Sequence, residues 1–244
     1  MSNVVFVFKH FFQRTLLVHT PARPRSQLQV VVAMLALLLL AACSSTPKPL
    51  DWQLEAKSAM DRSVAAYLEG NTRVEALEFE RARAEISSTG RIDLAARTEL
   101  LHCASHVASL EFETCAGFER WRQDAAPPER AYADYLAGRL QPGDIGLLPA
   151  QQRAALAGGH AAVASIADPL SRLVAAGVAL QSGRATVQLV EIAVDTASGQ
   201  GWRRPLLAWL GVQLALAEKS GLPDEAERLR RRIGLAQGSA KVGR

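Results

Sequence analysis

From Leu50 onward, apolar side chains return at steps of three and four residues and alternate with polar ones for no more than a few positions. A helix repeats its face every 3.6 residues and a strand every second residue, so this spacing sets an all-α fold. Leu54, Ala56, Ala59, Met60, Val64, Tyr67 and Leu68 predict a first helix, stopped at Gly70-Asn71. Val74, Leu77, Ala82 and Ile86 carry a second, and Ile92, Leu94, Ala95, Leu100, Leu101 and Val107 a third. A short helix around Phe118 and Trp121 follows. Pro127-Pro128 opens another, ended at Gly138, and residues 141–146 read as a loop. Pro149 opens a helix that Gly158-Gly159 ends, and a short one begins at His160. Asp168-Pro169 caps and starts the next; residues 185–197, 202–219 and 223–235 complete the set. Aspartate and asparagine at helix starts, proline in first turns and glycine at ends are the expected punctuation.

One phrase recurs: a helix end, then glycine, a short link and a second helix. It reads Tyr67-Leu68-Glu69-Gly70, Tyr135-Leu136-Ala137-Gly138, Leu180-Gln181-Ser182-Gly183 and Glu218-Lys219-Ser220-Gly221. Pro169 and Pro205 head helices 36 residues apart, close to the ~34-residue period of helix-turn-helix repeats. The block Tyr67, Gly70, Ala76, Phe79, Ala82 resembles the tetratricopeptide pattern, slipped by a residue at two places, and Trp209-Leu210-Gly211 with Leu214 resembles its first helix. The resemblance implies antiparallel helix pairs in a TPR-like repeat array. An irregular helical bundle with coincidental periodicity is the alternative. In either, small residues let helices approach and large ones fill the grooves.

Upstream lies a different kind of segment. Residues 30–40 hold no charged side chain, Arg23 and Arg25 flank them, and the run ends Leu40-Ala41-Ala42-Cys43. A basic flank, a short apolar core and a small-residue site form a secretory signal. The core is shorter than the ~18 residues of a membrane span. The segment resembles the lipobox of bacterial lipoproteins. That resemblance implies a diacylglyceryl group on the Cys43 sulfur, cleavage before Cys43 and acylation, as with palmitate, of the new N-terminus. Ser44 after the cysteine implies outer-membrane sorting, facing the periplasm. Two or three acyl chains anchor stably where one does not. The expected organisation is therefore residues 1–42 as an N-terminal extension and signal peptide, 43–49 as a lipidated tether, 50–236 as the helical domain and 237–244 as a flexible tail. Residues 1–22, apolar and aromatic at 4–12, are not needed by a signal peptide and read as an upstream extension.

The formal charge of +4 belongs to this leader, which holds Lys9, Arg14, Arg23, Arg25 and no acid. Removing four of the 28 basic residues leaves 24 against 24 acidic ones. A neutral body gives no support to nucleic-acid binding.

With Cys43 assigned to lipid, Cys103 and Cys115 remain, an even pair in an oxidising compartment. On one unbroken helix they would lie about 18 Å apart, whereas a disulfide needs α-carbons within about 7 Å. A bridge therefore requires a break, placed at residues 109–114. It is favoured over two buried thiols.

Glu99, His102 and His106 share one helix face at spacings of three and four. Such spacing suits Zn²⁺ or Cu²⁺ with a further ligand. Nothing else in the chain supports a metal, so neither a metal nor a cofactor is expected. No phosphate-binding glycine loop and no placed nucleophile is found, so no catalytic residue is assigned. Arg228, Arg230, Arg231 and Arg232 read as a solvated helix face, and Trp202 and Trp209 as half-buried helix contacts. The expected function is a lipid-anchored, non-enzymatic scaffold whose helices hold a protein partner in the cell envelope. The alternative is a cell-wall-associated enzyme or accessory whose site would converge on Glu99, His102 and His106.

Overall fold

The computed structural model describes residues 50–238. Cys43, the lipobox-like segment, residues 43–49 of the tether and 239–244 of the tail lie outside them. The regular structure of the described residues is helical throughout, with no strand among them. The helices are α1 (Asp51–Glu69), α2 (Thr72–Ser87), α3 (Ile92–Ala108), α4 (Ala116–Glu119), α5 (Pro127–Leu136), α6 (Ala150–Ala164), α7 (Pro169–Gln181), α8 (Val187–Gly199), α9 (Arg203–Lys219) and α10 (Pro223–Gly238). Residues 141–146, read as a loop, lie largely within a 3₁₀ helix, Pro142–Leu147. α6 is two helical pieces meeting at Gly159, whose φ of 61° and ψ of −148° break the ladder.

Side chains close the helix starts. Asn71 Oδ1 accepts from the Val74 N–H, Asp168 Oδ2 from the Ser171 N–H and Thr186 Oγ1 from the Leu189 N–H. Each satisfies one donor that the first turn leaves without a partner. Gly70, at φ 87°, ends α1 in the left-handed conformation that lacks a Cβ penalty. The Arg203 guanidinium lies where a Gly70 side chain would be, 2.9 Å from the Cβ position.

Neighbouring helices pair in sequence: α1 with α2, α2 with α3, and α6 through α10 each with the next. In α1–α2, Ser63 Oγ donates to the Glu75 carbonyl and Arg62 pairs with Glu78, an antiparallel register. Two longer-range sets of contacts close the chain on itself. α3 packs on α7, and α9 returns to α1. In a strict linear array each repeat touches only its neighbours. The described residues therefore combine repeat-like pairs with the closure of a bundle. The main core gathers Leu173, Val174, Leu189, Trp209, Leu210 and Phe118 from α4, α7, α8 and α9 with the inner face of α3. Trp209, read as half-buried, is wholly buried, and its Nε1–H donates to the Ala108 carbonyl at 3.1 Å, a free acceptor at the end of α3. A smaller core of Ala59, Met60, Phe79 and Ala82 lies within α1–α2. No single described helix is long and apolar enough to cross a membrane; the apolar run of α7, Leu173 to Val178, is spent on the core.

The inward face of α2 differs from the expected one. Val74 and Leu77 are 40% and 56% exposed, and Glu75, Glu78, Phe79, Ala82 and Ile86 are buried. Ala76, part of the tetratricopeptide-like block, is exposed, as is Leu54 on α1. The reason is electrostatic: each inward carboxylate has a cation or imidazole opposite it. Glu78 holds Arg62 and Arg81, and Glu75 holds His102. Paired in this way, the acids can be buried, and the 75–78–79–82–86 row becomes the packing face.

Candidate functional site

α1 and α3 run side by side, and α2 lies antiparallel against both. This brings four rings into one stack. Tyr67 lies on His106 with ring centres 4.2 Å apart and planes 18° from parallel. His106 is 4.5 Å from His102, tilted by 48°. His102 lies on Phe79 at 4.0 Å and 13°. An arginine covers each end: Arg204 of α9 sits 4.3 Å above Tyr67, and Arg83 of α2 sits 4.4 Å from the Phe79 centre. Ring pairs contribute about 0.5–1.5 kcal/mol beyond burial, and cations over rings a similar amount.

Carboxylates run along the stack. His102 Nε2 is 2.8 Å from Glu75 Oε1, and His106 Nδ1 is 3.2 Å from Glu111 Oε2. Since a carboxylate only accepts, His102 Nε2–H donates to Glu75, while His106 Nδ1 faces Glu111 as an ion-pair contact. Glu111 is shared, its other oxygen lying 3.5 Å from Arg204 Nη1. Arg204 also donates to the Tyr67 carbonyl and to Thr72 Oγ1, both at 2.8 Å. Glu111 sits just past Leu110, the one described non-glycine residue at positive φ, 63°. That conformation is normally left to glycine at a helix end. It lets the Glu111 N–H close onto the His106 carbonyl at 3.0 Å and aims the carboxylate back at the ring.

Burial, and next the neighbouring His102, holds His106 below the usual imidazole range, against the opposing pull of Glu111, Glu75 and Glu113. Burial, then the Glu111 carboxylate, pushes the Tyr67 phenol far above its ordinary value, so it stays protonated. The Tyr67 hydroxyl, His106 Nε2 and Ser109 Oγ are buried without a well-formed hydrogen bond among the described residues.

Of the residues singled out in the sequence, His102 and His106 come together and Glu99 does not join them. Its carboxylate turns to Arg83 Nη2 at 2.6 Å and presses on Gly117, where a Cβ would sit 1.9 Å from Oε2. Cys103 and Cys115 form a disulfide with α-carbons 5.8 Å apart, the chain leaving the helix at Ser109 between them. Among the described residues no group of three His, Cys, Asp or Glu side chains is placed to hold a metal. His160 is exposed on α6. In the C-terminal arginine row, Arg228 pairs with Glu225, Arg231 with Glu227 and Arg230 with Glu218 of α9.

Sequence reasoning did not assign Glu75, Arg83, Arg204 or Glu111 to this site. The two histidines four apart were its local signal. The other members of the stack lie up to 137 residues apart along the chain, as Arg204 does from Tyr67, with no spacing pattern to connect them. The fold and site define an all-α protein of successive helix pairs closed around a stack of aromatic and imidazole rings. No protein-family model, curated protein or solved structure matches the chain.

Proposed function

We propose that this protein is a lipid-anchored interaction module of the bacterial cell envelope, held at the outer membrane by Cys43 and facing the periplasm. The observation that carries the reading is the Leu40-Ala41-Ala42-Cys43 segment after a basic flank and short apolar core. Helix pairs support the second half of it. They offer outer helix faces for a protein segment, and Val74, Leu77 and Leu101 stand exposed on α2 and α3. The anchor raises local concentration at the membrane and turns weak contacts into durable ones. The stack joins α1, α2, α3 and α9 through ion pairs and ring contacts.

In-cell crosslinking of the tagged full-length protein tests this, against Cys43→Ala. The expected result is a specific envelope protein captured with the wild type and lost with the variant. Equal capture by both forms, or no specific capture by either, contradicts it.

A further inference from the structure

The stack is assembled for a neutral His106. With its proton on the Nδ1 that faces the Glu111 carboxylate 3.2 Å away, His106 leaves Nε2 buried with no hydrogen-bond partner among the described residues. A second proton would go to Nε2, creating a buried N–H with no acceptor and a cation 4.5 Å from the His102 ring. An unsatisfied buried donor costs about 1–3 kcal/mol and more when charged. The groups facing His106 are Tyr67 from α1, Glu75 from α2, His102 on its own helix, Glu111 and Glu113 from the following loop, and Arg204 from α9. Two of them, Glu111 and Arg204, tie residues 109–115 and the N-terminal end of α9 to the stack.

We propose that His106, stacked between Tyr67 and His102 and facing Glu111, is an acid-operated latch. When neutral it fastens residues 109–115 and the start of α9 to α1 and α3; when protonated it releases them. Protonated His106 leaves its buried, partnerless position by swinging out with Glu111, and Arg204 then loses one of its anchors. The direction follows from linkage. Outside the stack His106 binds a proton at the ordinary imidazole value; within it, it binds at lower pH. The open form therefore takes up more protons, and acid favours it. The Cys103–Cys115 bridge holds the far end of the loop, so opening stays local. The Leu110 backbone, already in a sparsely populated region, also regains freedom on release.

The test is amide hydrogen exchange of the full chain, followed by mass spectrometry, at about pH 7.5 and about pH 5, corrected for the intrinsic rate. The wild type should show exchange in residues 109–115 and 202–207 rising by up to about tenfold for each pH unit below the ordinary imidazole value, until the folded value is passed. His106→Phe keeps a ring against Tyr67 but cannot take the proton, and should remove that acid step. An equal step in both proteins, or no step in the wild type, overturns the latch. Should His106→Phe fail to fold, the His106 imidazole C–H resonances of the wild type decide. His106 should titrate below the ordinary imidazole value of about 6.5, together with the loss of protection. A His106 curve at or above that value overturns the proposal.

Discussion

Gly177 sits in the middle of α7 where it crosses α3. A Cβ built there would lie 2.4 Å from the Val107 carbonyl oxygen and 3.1 Å from Val107 Cγ1. The obstacle is backbone, which cannot turn aside as a long side chain can. Gly177→Ala must therefore push α7 away from α3 by most of an ångström or tilt the Val107 carbonyl out of its helical bond. Overpacking of this kind costs about 1–3 kcal/mol; contact with backbone puts it at the upper end, about 3. Alanine gives back about 1 kcal/mol in helix propensity, leaving a net loss near 2 kcal/mol. Gly211 supplies the control. It lies exposed within α9 with nothing within 4 Å of its Cβ position, so Gly211→Ala should gain up to about 1 kcal/mol. For a body of this size 1 kcal/mol moves Tm by about 2–4 °C. Thermal unfolding followed by circular dichroism should place Gly177→Ala below the wild type and Gly211→Ala level with it or above. If the two shift Tm upward alike, α3 and α7 do not approach at Val107, and the closure of the bundle there is wrong.

Trp209→Phe keeps most of the ring volume and leaves the Ala108 carbonyl buried without its donor; the loss should be about 1–3 kcal/mol by urea unfolding, and a change within error would remove the α9–α3 tie. Alkylation of the denatured protein with and without reductant should add mass at Cys103 and Cys115 only after reduction, and reduction should lower stability by ~3 kcal/mol; equal mass shifts would show free thiols. Urea midpoints taken across pH should fall as pH drops from the ordinary imidazole value of 6.5 toward the lowered value of folded His106, since the unfolded chain takes up the proton first, and should flatten below it. His106→Phe should lose that part of the slope, and an unchanged slope would place the titration elsewhere.

The helices were legible because their ends are written locally. Gly70 and Asp168-Pro169 act within one turn, and each stands at a helix boundary in the structure. Which face turns inward was harder to read. On α2 the apolar pair Val74 and Leu77 gives the stronger hydrophobic signal, yet Glu75 and Glu78 are buried because His102 of α3 and Arg62 of α1 come to meet them. Periodicity counts apolar residues and has no term for a partner on another helix. The candidate site follows the same rule. His102 and His106 announced themselves at helical spacing, and Glu99 was grouped with them by that spacing alone. Arg83, sixteen residues earlier, draws Glu99 away. The tetratricopeptide-like phrase identified helix pairs, but not the return of α9 to α1, which depends on Arg203 over Gly70 and Arg204 over Tyr67.

The proposed place of this protein in the cell rests on Cys43, and mass spectrometry of the N-terminal peptide of the membrane-extracted protein tests it most directly, paired with growth on an alkyne-bearing palmitate. The expected result is a mature chain beginning at a Cys43 that carries diacylglyceryl and acyl mass, labelled in the wild type and unlabelled in Cys43→Ala. A chain that retains residues upstream of Cys43, with a free thiol there and no label, would contradict the anchored-module account.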